Sequence, residues 1–452
     1  MKKARFFLSV LLAISLVSCK SATKVSQSDK PGIEIRDESQ QPLSYFNVYK
    51  GNTHSHTILT WTHGEHRKEL IKELDKPTPF KPGFATPPGT DWRDEKTLNL
   101  DPQYYPASQG LPANHLALAK ENGYDFYAIT DHCQEPTLNP VSPDNWAWKN
   151  IKAACDKYLN DPKFVAIPGI EFSRNTQADG GQGHINVLNA ATYINADHGQ
   201  RGSAPAWPEA NWSVAKFYGW VKSDPAPYDG GPVVVGFNHP AKNQYADFGN
   251  YDPEIAKRIS TFELHTNYSM QRWAAYIHCL NKGWKVSPIG VHDNHGYSAI
   301  LNKEKFPPTL VLAPNLTREA ILKALHERRT FVSYIQGTEL KYSANGHIMG
   351  STLKNSDKFS FKIEVKTPAD EKSTVRRIQI LKNNSEGKDD VEVVAEATFD
   401  GTKDFITWAP EVPDASARYF IVRVHHGRDI AEDGSFKANG SSIAAPVWIE
   451  RQ

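Results

Sequence analysis

The sequence predicts an α/β fold: a seven-stranded (β/α) barrel over 44–335, followed by a small antiparallel β-sandwich over 336–452. Three observations carry that expectation. Short apolar runs rich in β-branched residues recur up to about residue 315 and stop at polar residues; continuous runs of this kind are strands covered on both faces. Helix-like segments lie between several of them, the alternation of a parallel α/β architecture, which about seven strands close into a barrel. From about residue 338 the runs alternate apolar with polar residues and are separated by Gly, Asn, Asp and Ser, the pattern of antiparallel sheets packed face to face.

Residues 1–19 stand outside this fold. Lys2, Lys3 and Arg5 precede an apolar stretch from Phe6 to Val17, the composition of an export signal and too short to span a bilayer comfortably. The segment ends Leu16-Val17-Ser18-Cys19, which resembles the bacterial lipoprotein cleavage box. That resemblance implies lipidation at Cys19 and a protein of the cell envelope, anchored by lipid and facing the periplasm or the cell surface; an ordinary cleaved signal peptide is the plainer alternative. Residues 20–43 begin with a polar, Ser- and Lys-rich stretch suited to a tether.

The seven runs are YFNVYKGNTH, YDFYAITDH, KFVAIPGIEF, GHINVLN, GPVVVGFNHP, ISTFELHT and KVSPIGVHDNH. Helical patterns fall at 113–123, 145–159 and 269–283. Two stretches break the repeat: 64–112, charged and Pro-rich, and 191–230, rich in Gly, Pro, Trp and Ala. Both read as excursions over the barrel mouth, and Trp92, Tyr104, Tyr105, Trp207 and Trp212 are candidates to line a substrate site. Beyond Asn315, LTREAILKALHERRTFVS reads as an amphipathic helix and a strand. The sandwich strands are KFSFKIEVKT, VRRIQILKN, VEVVAEATF, YFIVRVHHG and APVWIERQ. In the fourth, His425-His426 sits in an alternating pattern that turns one ring outward.

With 52 basic and 51 acidic residues among 452, the net charge is +1, and composition gives no sign of a nucleic-acid surface. Beyond Cys19 only Cys133, Cys155 and Cys279 remain, an odd and widely spaced set that implies no disulfide framework.

The chemistry lies at the ends of the runs. His54 and His56 follow the first run and Asp131-His132 the second; Glu171 closes the third, His239 the fifth, and Asp293 and His295 the seventh, while His184 opens its run. In a parallel barrel all strand C-termini share one rim, so these side chains can meet there. A lone histidine at a strand end is ordinarily structural, Asp131 can serve as a helix cap, and Glu171 is costly in an apolar rim unless paired or metal-bound. The repetition is what points to a metal.

The ordered set HSH (54–56), AITDH (128–132), PGIEF (168–172), GH (183–184), NHP (238–240) and DNH (293–295) resembles the polymerase and histidinol phosphatase (PHP) family of metal-dependent hydrolases. The region around ERRTF (327–331), SANGHIMG (343–350) and YFIVRVHH (419–426) is similar to a subgroup that includes carbaryl-hydrolase-type metallohydrolases. The resemblance implies a distorted seven-stranded PHP barrel and two to three divalent ions. It places His54, His56, Glu171 and Asp293 on a first ion. Glu171, His184 and His239 would hold a second, and His132, His295 and a loop residue, for which His63 is the candidate, a third. The family usually carries Asp where this chain has Asn52, and His265, His292 and Glu263 have no assigned role beyond support of the rim.

Nitrogen and carboxylate ligands suit Zn, Mn or Fe, and two ions bridged by Glu171 would lower the pKa of a shared water, with Glu171, Asp293 and His295 as the catalytic set. The expected activity is hydrolysis of a small or medium organic phosphate, with a small-molecule phosphate ester as partner. Hydrolysis of a carbamate or carboxylic ester by the same site is the first alternative. An envelope-anchored binding protein with a vestigial site and a nuclease are the others, set against a nearly complete ligand set and a balanced charge.

Overall fold

The computed structural model describes residues 37–60, 110–138, 141–174, 181–196, 213–265, 270–437 and 440–450. The signal segment with Cys19, the tether to residue 36, His63, and Trp92, Tyr104, Tyr105, Trp207 and Trp212 lie outside the described residues.

The chain folds as a mixed α/β body dominated by sheet. All seven runs form strands: β1 (Asn47–Asn52), β2 (Phe126–Ile129), β3 (Val165–Arg174), β4 (Gly183–Leu188), β5 (Val234–Asn238), β6 (Ile259–His265) and β7 (Ser287–Gly290). They lie side by side in chain order. The helices are α1 (Pro112–Glu121), α2 (Trp146–Asp156), α3 (Val214–Lys222), α4 (Pro253–Ala256), α5 (Met270–Asn281), α6 (Ser298–Leu301) and α7 (Arg318–His326). In α2 the Asn145 side chain accepts from the Trp148 amide at 3.0 Å, and Trp148, Ile151 and Cys155 form its buried stripe, the spacing of one helix face. Helix α3 lies inside the 191–230 stretch that read as an excursion; Ser213 caps it, and Val214, Phe217, Tyr218 and Val221 bury its inner face.

The sheet is not wholly parallel. β4 runs antiparallel to both neighbours, β3 and β5. Only residues 175–182 separate β3 from β4, too short for the crossover that parallel neighbours need. The reversal explains His184: β4 brings its first residues to the rim where its neighbours bring their last. Past the strand ends, Ser55 pairs with Asn294, the His56 amide donates to Asn294 O at 2.9 Å, and the Asp293 amide donates to His54 O at 3.1 Å. The tails of β1 and β7 thus run side by side at the same rim.

On the other side of β1 the sheet continues through β8 (Thr309–Ala313) and β9 (Thr330–Ser333), both antiparallel. The later strands are β10 (Glu339–Ala344), β11 (His347–Ile348), β12 (Thr352–Lys354), β13 (Phe359–Lys366), β14 (Val375–Asn383), β15 (Val391–Thr398), β16 (Phe405–Trp408), β17 (Glu411–Val412), β18 (Tyr419–His426), β19 (Ser442–Ala444) and β20 (Val447–Glu450). β10, β11, β13, β16 and β17 make a second sheet. The others join the first, because β19 pairs with β18 on one edge and with β9 on the other. Tyr342, Phe361 and Ile363 of the second sheet share one core with Ile378, Ile380 and Val422 of the first.

The outward ring expected of His425-His426 is not there: both residues are fully buried. β18 is paired along both edges and covered on both faces. His425 Nε2 lies 3.2 Å from Gln379 Oε1, while His426 meets Ser373 O at 2.7 Å and the Ser442 hydroxyl at 2.8 Å. Cys133, Cys155 and Cys279 are buried in the core, and none of them is in a disulfide.

The β14–β15 turn docks on α5 through His278, which sits between Asp389 at 2.8 Å and Asp247 at 2.7 Å, with Lys242 reaching Asp389 at 2.5 Å. Burial would raise the Asp389 carboxyl, but Lys242, His278 and Asn281 hold it at about 2, below its ordinary 3.8. A depressed carboxyl contributes stability above its unfolded pKa and loses it as pH falls through the folded one. Asp389→Asn is therefore expected to cost about 1 kcal/mol at neutral pH, with the gap to wild type narrowing as pH falls from about 4 to about 2. Thermal unfolding across that range tests it, and a pH-independent gap would contradict it.

Candidate metal centre

Eight of the expected ligands lie among the described residues, and the fold brings all eight to one rim. His54 and His56 come from the tail of β1, His132 from the tail of β2 and Glu171 from β3. His184 opens β4, His239 follows β5, and Asp293 and His295 follow β7. Glu171 is at the centre. Its Oε1 lies 3.3 Å from His54 Nε2, 3.1 Å from His184 Nδ1 and 3.5 Å from His239 Nε2, and its Oε2 lies 2.7 Å from His132 Nδ1. Asp293 Oδ1 lies 3.2 Å from His56 Nε2 and 3.4 Å from His54 Nε2. The His56 ring stacks on those of His295 at 4.1 Å and His132 at 4.4 Å.

The donor chemistry fits cations. His54 Nδ1 lies 2.7 Å from Glu263 Oε1 and can only donate to that carboxylate, which leaves a lone pair on Nε2. That lone pair faces His56 Nε2 at 3.0 Å as well as Glu171 and Asp293. Two carboxylates and the His54 lone pair are thus held against one another, an arrangement that a proton or a metal ion relieves. Three sets have ligand atoms within 4.8 Å of one another: His54, His56 and Glu171; His132, Glu171 and His184; and His56, His132 and His295. His132 belongs to two of them, so the structure divides the donors less cleanly than the resemblance does.

Charge follows the geometry. Burial would raise Glu171, but His132, His54 and His184 hold its carboxyl well below the usual range. Burial likewise opposes Asp293, which His54, His56 and His239 pull well down. Burial would lower His54, yet Glu263, Asp293 and Glu171 raise it well above 6.5. The site is closed on one side and open on the other. The side chains of His54, His56 and Glu171 are 0% exposed, whereas Asp293 is 29% and His239 22% exposed.

The supporting residues were only partly legible in the sequence. Glu263 orients His54 and also accepts from the His239 amide at 2.6 Å, so one buried carboxylate aligns two histidines. Asn238 donates to Glu171 Oε1 at 2.8 Å and to Asn186 Oδ1 at 2.9 Å, and Ser173 donates to Glu171 Oε2 at 3.1 Å. Neither Asn238 nor Ser173 stood out by spacing, since each lies beside or near a ligand and reads as part of its motif. Asp131 caps no helix. It accepts from the Thr57 amide at 2.7 Å and from the Thr57 and Thr60 hydroxyls at 2.8 Å, fixing the turn after His56. His292 points away from the ligands, packed against Phe306 with its Nε2 3.2 Å from the Tyr124 hydroxyl.

Two backbone features hold the rim. His239 and Asp293 have φ of +31° and +49°, a conformation that costs a non-glycine residue about 1–3 kcal/mol and recurs at functional sites. Below them, Tyr245, Ala246, Asp247 and Phe248 have φ of +54°, +52°, +59° and +52°, a left-handed turn. The Tyr245 hydroxyl lies 2.6 Å from His184 O and 2.9 Å from Asn238 O. Gly183 makes room for it: a Cβ there would sit 2.1 Å from the Tyr245 ring.

Asn52 does not orient a histidine ring as its place in the motif suggests. Its Nδ2 donates to His54 O at 2.8 Å and its Oδ1 accepts from the His292 amide at 2.9 Å, tying the β1 and β7 tails together. A carboxylate can do only the second. Asn52→Asp, though it restores the residue usual in the resembling family, is expected to destabilise by about 1–3 kcal/mol by turning a buried carboxylate onto a carbonyl. Denaturant unfolding measures this, and an unchanged or raised midpoint would refute it.

No family model matches the chain, and no curated protein matches it. It is similar to the crystal structure of a two-domain protein from Bacteroides vulgatus described as containing a predicted PHP-like metal-dependent phosphoesterase: 15% identical, covering 91% of this chain and 100% of that one, with a TM-score of 0.40. At that similarity the reading of the site rests on this chain's own side chains.

Proposed function

We propose that the protein is a metal-dependent hydrolase of the PHP type, acting as a phosphoesterase on a small or medium organic phosphate. The observation that carries this reading is the set of electron-pair donors turned toward one another around Glu171. His54, His56, Glu171 and Asp293 would hold one ion, with His184 and His239 extending the site from the same Glu171 oxygen that faces His54, His132 from the other oxygen, and His295 from the His56 face. Divalent ions in such a site supply an activated water and neutralise charge that develops on the substrate.

The chain's own groups set the rest. The enclosed His54, His56 and Glu171 exclude bulk water, and substrate enters past Asp293 and His239. Glu263 keeps His54 in one tautomer, and Asn238 and Ser173 fix the two oxygens of Glu171. In this reading His295, whose ring stacks on that of His56, hands a proton to the leaving group.

Elemental analysis of the purified protein and a substrate panel with added Mn or Zn test the reading. Bound metal together with turnover of phosphomonoesters or phosphodiesters supports it. Absence of metal, with no hydrolysis of phosphate or aryl esters, would sink it; turnover confined to carbamates or carboxylic esters would replace the substrate class.

A further inference from the structure

Two N–H groups near the cluster are left unused by that reading, one on His265, two residues past Glu263 on β6, and one on Arg272, which the Glu263 and Asp293 carboxylates influence. His265 ends β6 and is 9% exposed. Its Nδ1 lies 2.9 Å from the Tyr334 hydroxyl, and the two rings are 4.3 Å apart. Its Nε2 is buried and has no hydrogen-bond partner among the described residues. Arg272, in the first turn of α5, is in the same condition at Nη1. Burial lowers the basicity of Arg272, and the carboxylates of Glu263 and Asp293 oppose that, which places the guanidinium in the field of the metal rim. Burial and then the Arg272 charge push His265 down to about 3, so the ring is neutral at working pH.

A neutral imidazole has one N–H. With the Tyr334 hydroxyl donating to Nδ1, that proton sits on Nε2. With the proton so placed, His265 Nε2–H and Arg272 Nη1–H are two buried donors with no acceptor among the described residues; the Arg272 charge acts on His265, and the Glu263 and Asp293 carboxylates act on Arg272. Burying such groups is costly unless a ligand completes them. Tyr334 is in turn fixed by Arg428, whose Nη1 donates to Tyr334 O at 3.1 Å and whose guanidinium lies 5.5 Å from the ring.

We infer that His265 Nε2–H and Arg272 Nη1–H form an anion-binding subsite for the phosphoryl oxygens of the substrate, with Tyr334 as the residue that positions His265. The inference deepens the phosphoesterase reading and rests on it for the identity of the anion. A neutral carbamate or carboxylic ester gives the pair no anionic oxygen to hold in the ground state, so the subsite favours a phosphate ester.

The test is calorimetric binding of inorganic phosphate to the Mn-loaded full chain, with acetate as a second arm, alongside KM for a phosphate ester and metal content. Arg272→Ala should weaken phosphate binding by about tenfold to a hundredfold, the range for a charge-assisted hydrogen bond, with metal content unchanged and acetate binding little altered. Arg272→Lys should recover part of the loss, and it keeps the test decisive if the Ala variant folds poorly. Tyr334→Phe should cost about threefold to tenfold in phosphate affinity, again with metal retained, a pattern that loss of folding would not give.

Wild-type phosphate affinity in both Arg272 variants would overturn the subsite, as would acetate binding as tight as phosphate. If phosphate affinity falls as expected but no phosphate ester is turned over, the subsite stands and the phosphoesterase reading fails. If phosphate esters are turned over with unchanged KM in the Arg272 variants, the reading stands and the subsite fails.

Discussion

Glu171→Gln is expected to abolish turnover, with kcat down by at least about 10³-fold, and to strip the protein of metal at the same time. The substitution keeps the size of the side chain and removes its charge. Both carboxylate oxygens are in use: Oε1 faces His54, His184 and His239, and Oε2 faces His132. An amide in that place turns an N–H₂ group toward at least one imidazole lone pair or toward the Asn238 and Ser173 donors, so the converging set loses its central charge and gains a misplaced donor. Among the described residues neither neighbouring carboxylate can take over, because Asp293 approaches the same histidines from the exposed side and Glu263 is committed to His54 and the His239 amide. Elemental analysis and steady-state rates measure the effect. A Glu171→Gln variant that keeps its metal and its rate would remove Glu171 from the centre of the site and the site assignment with it.

Glu263→Gln should weaken metal binding by about 10- to 100-fold, although Glu263 is assigned to no ion. Its two oxygens accept from two different donors, His54 Nδ1 at 2.7 Å and the His239 amide at 2.6 Å. A glutamine has one acceptor oxygen, so one of those donors meets an N–H₂ group instead. If His54 loses its partner, its tautomer is no longer set; if the His239 amide does, the left-handed bend at His239 loses its brace. The residue is fully buried, so a cost of about 1–3 kcal/mol in fold stability accompanies the change. Competition with a chelator of known affinity gives the metal term and thermal unfolding the other. Unchanged metal affinity would show that His54 is held by its backbone alone.

Much of the site was legible because of one geometric rule. Residues that end neighbouring strands share a rim, so HSH, the Asp131-His132 pair, Glu171, His239 and the DNH stretch could be grouped without knowing any contact between them. His184 broke the rule in the sequence and obeys it in space, because β4 runs backwards; an eight-residue link between two apolar runs was the available sign. What stayed hidden depends on pairing across the sheet. Nothing in the order of residues says that Glu263 faces His54, that Asn52 bridges two backbones, or that β19 docks on β9 and carries the sheet from one region into the next. The alternation around His425 and His426 was read correctly as strand, but a strand paired along both edges and covered on both faces buries both rings.

The left-handed turn at Tyr245–Phe248 also bears on the order in which the molecule is assembled. Four successive non-glycine residues in that conformation cost about 4–8 kcal/mol, so the turn has no local tendency to form and is not an early event. It is held from outside, by the Tyr245 amide on Gln182 O at 2.7 Å, the Tyr245 hydroxyl beneath β4 and β5, and the Trp284 indole donating to Phe248 O at 3.0 Å. Those partners come from the lead-in to β4, from β4 and β5 themselves and from the approach to β7, which must already be in place when the turn closes. The same hydroxyl then sits under His184 and next to Asn238, the support of Glu171. The turn therefore adds its brace beneath His184 and Asn238 only after β4 and β5 have paired, so a chain in which it has not closed holds those two positions less firmly.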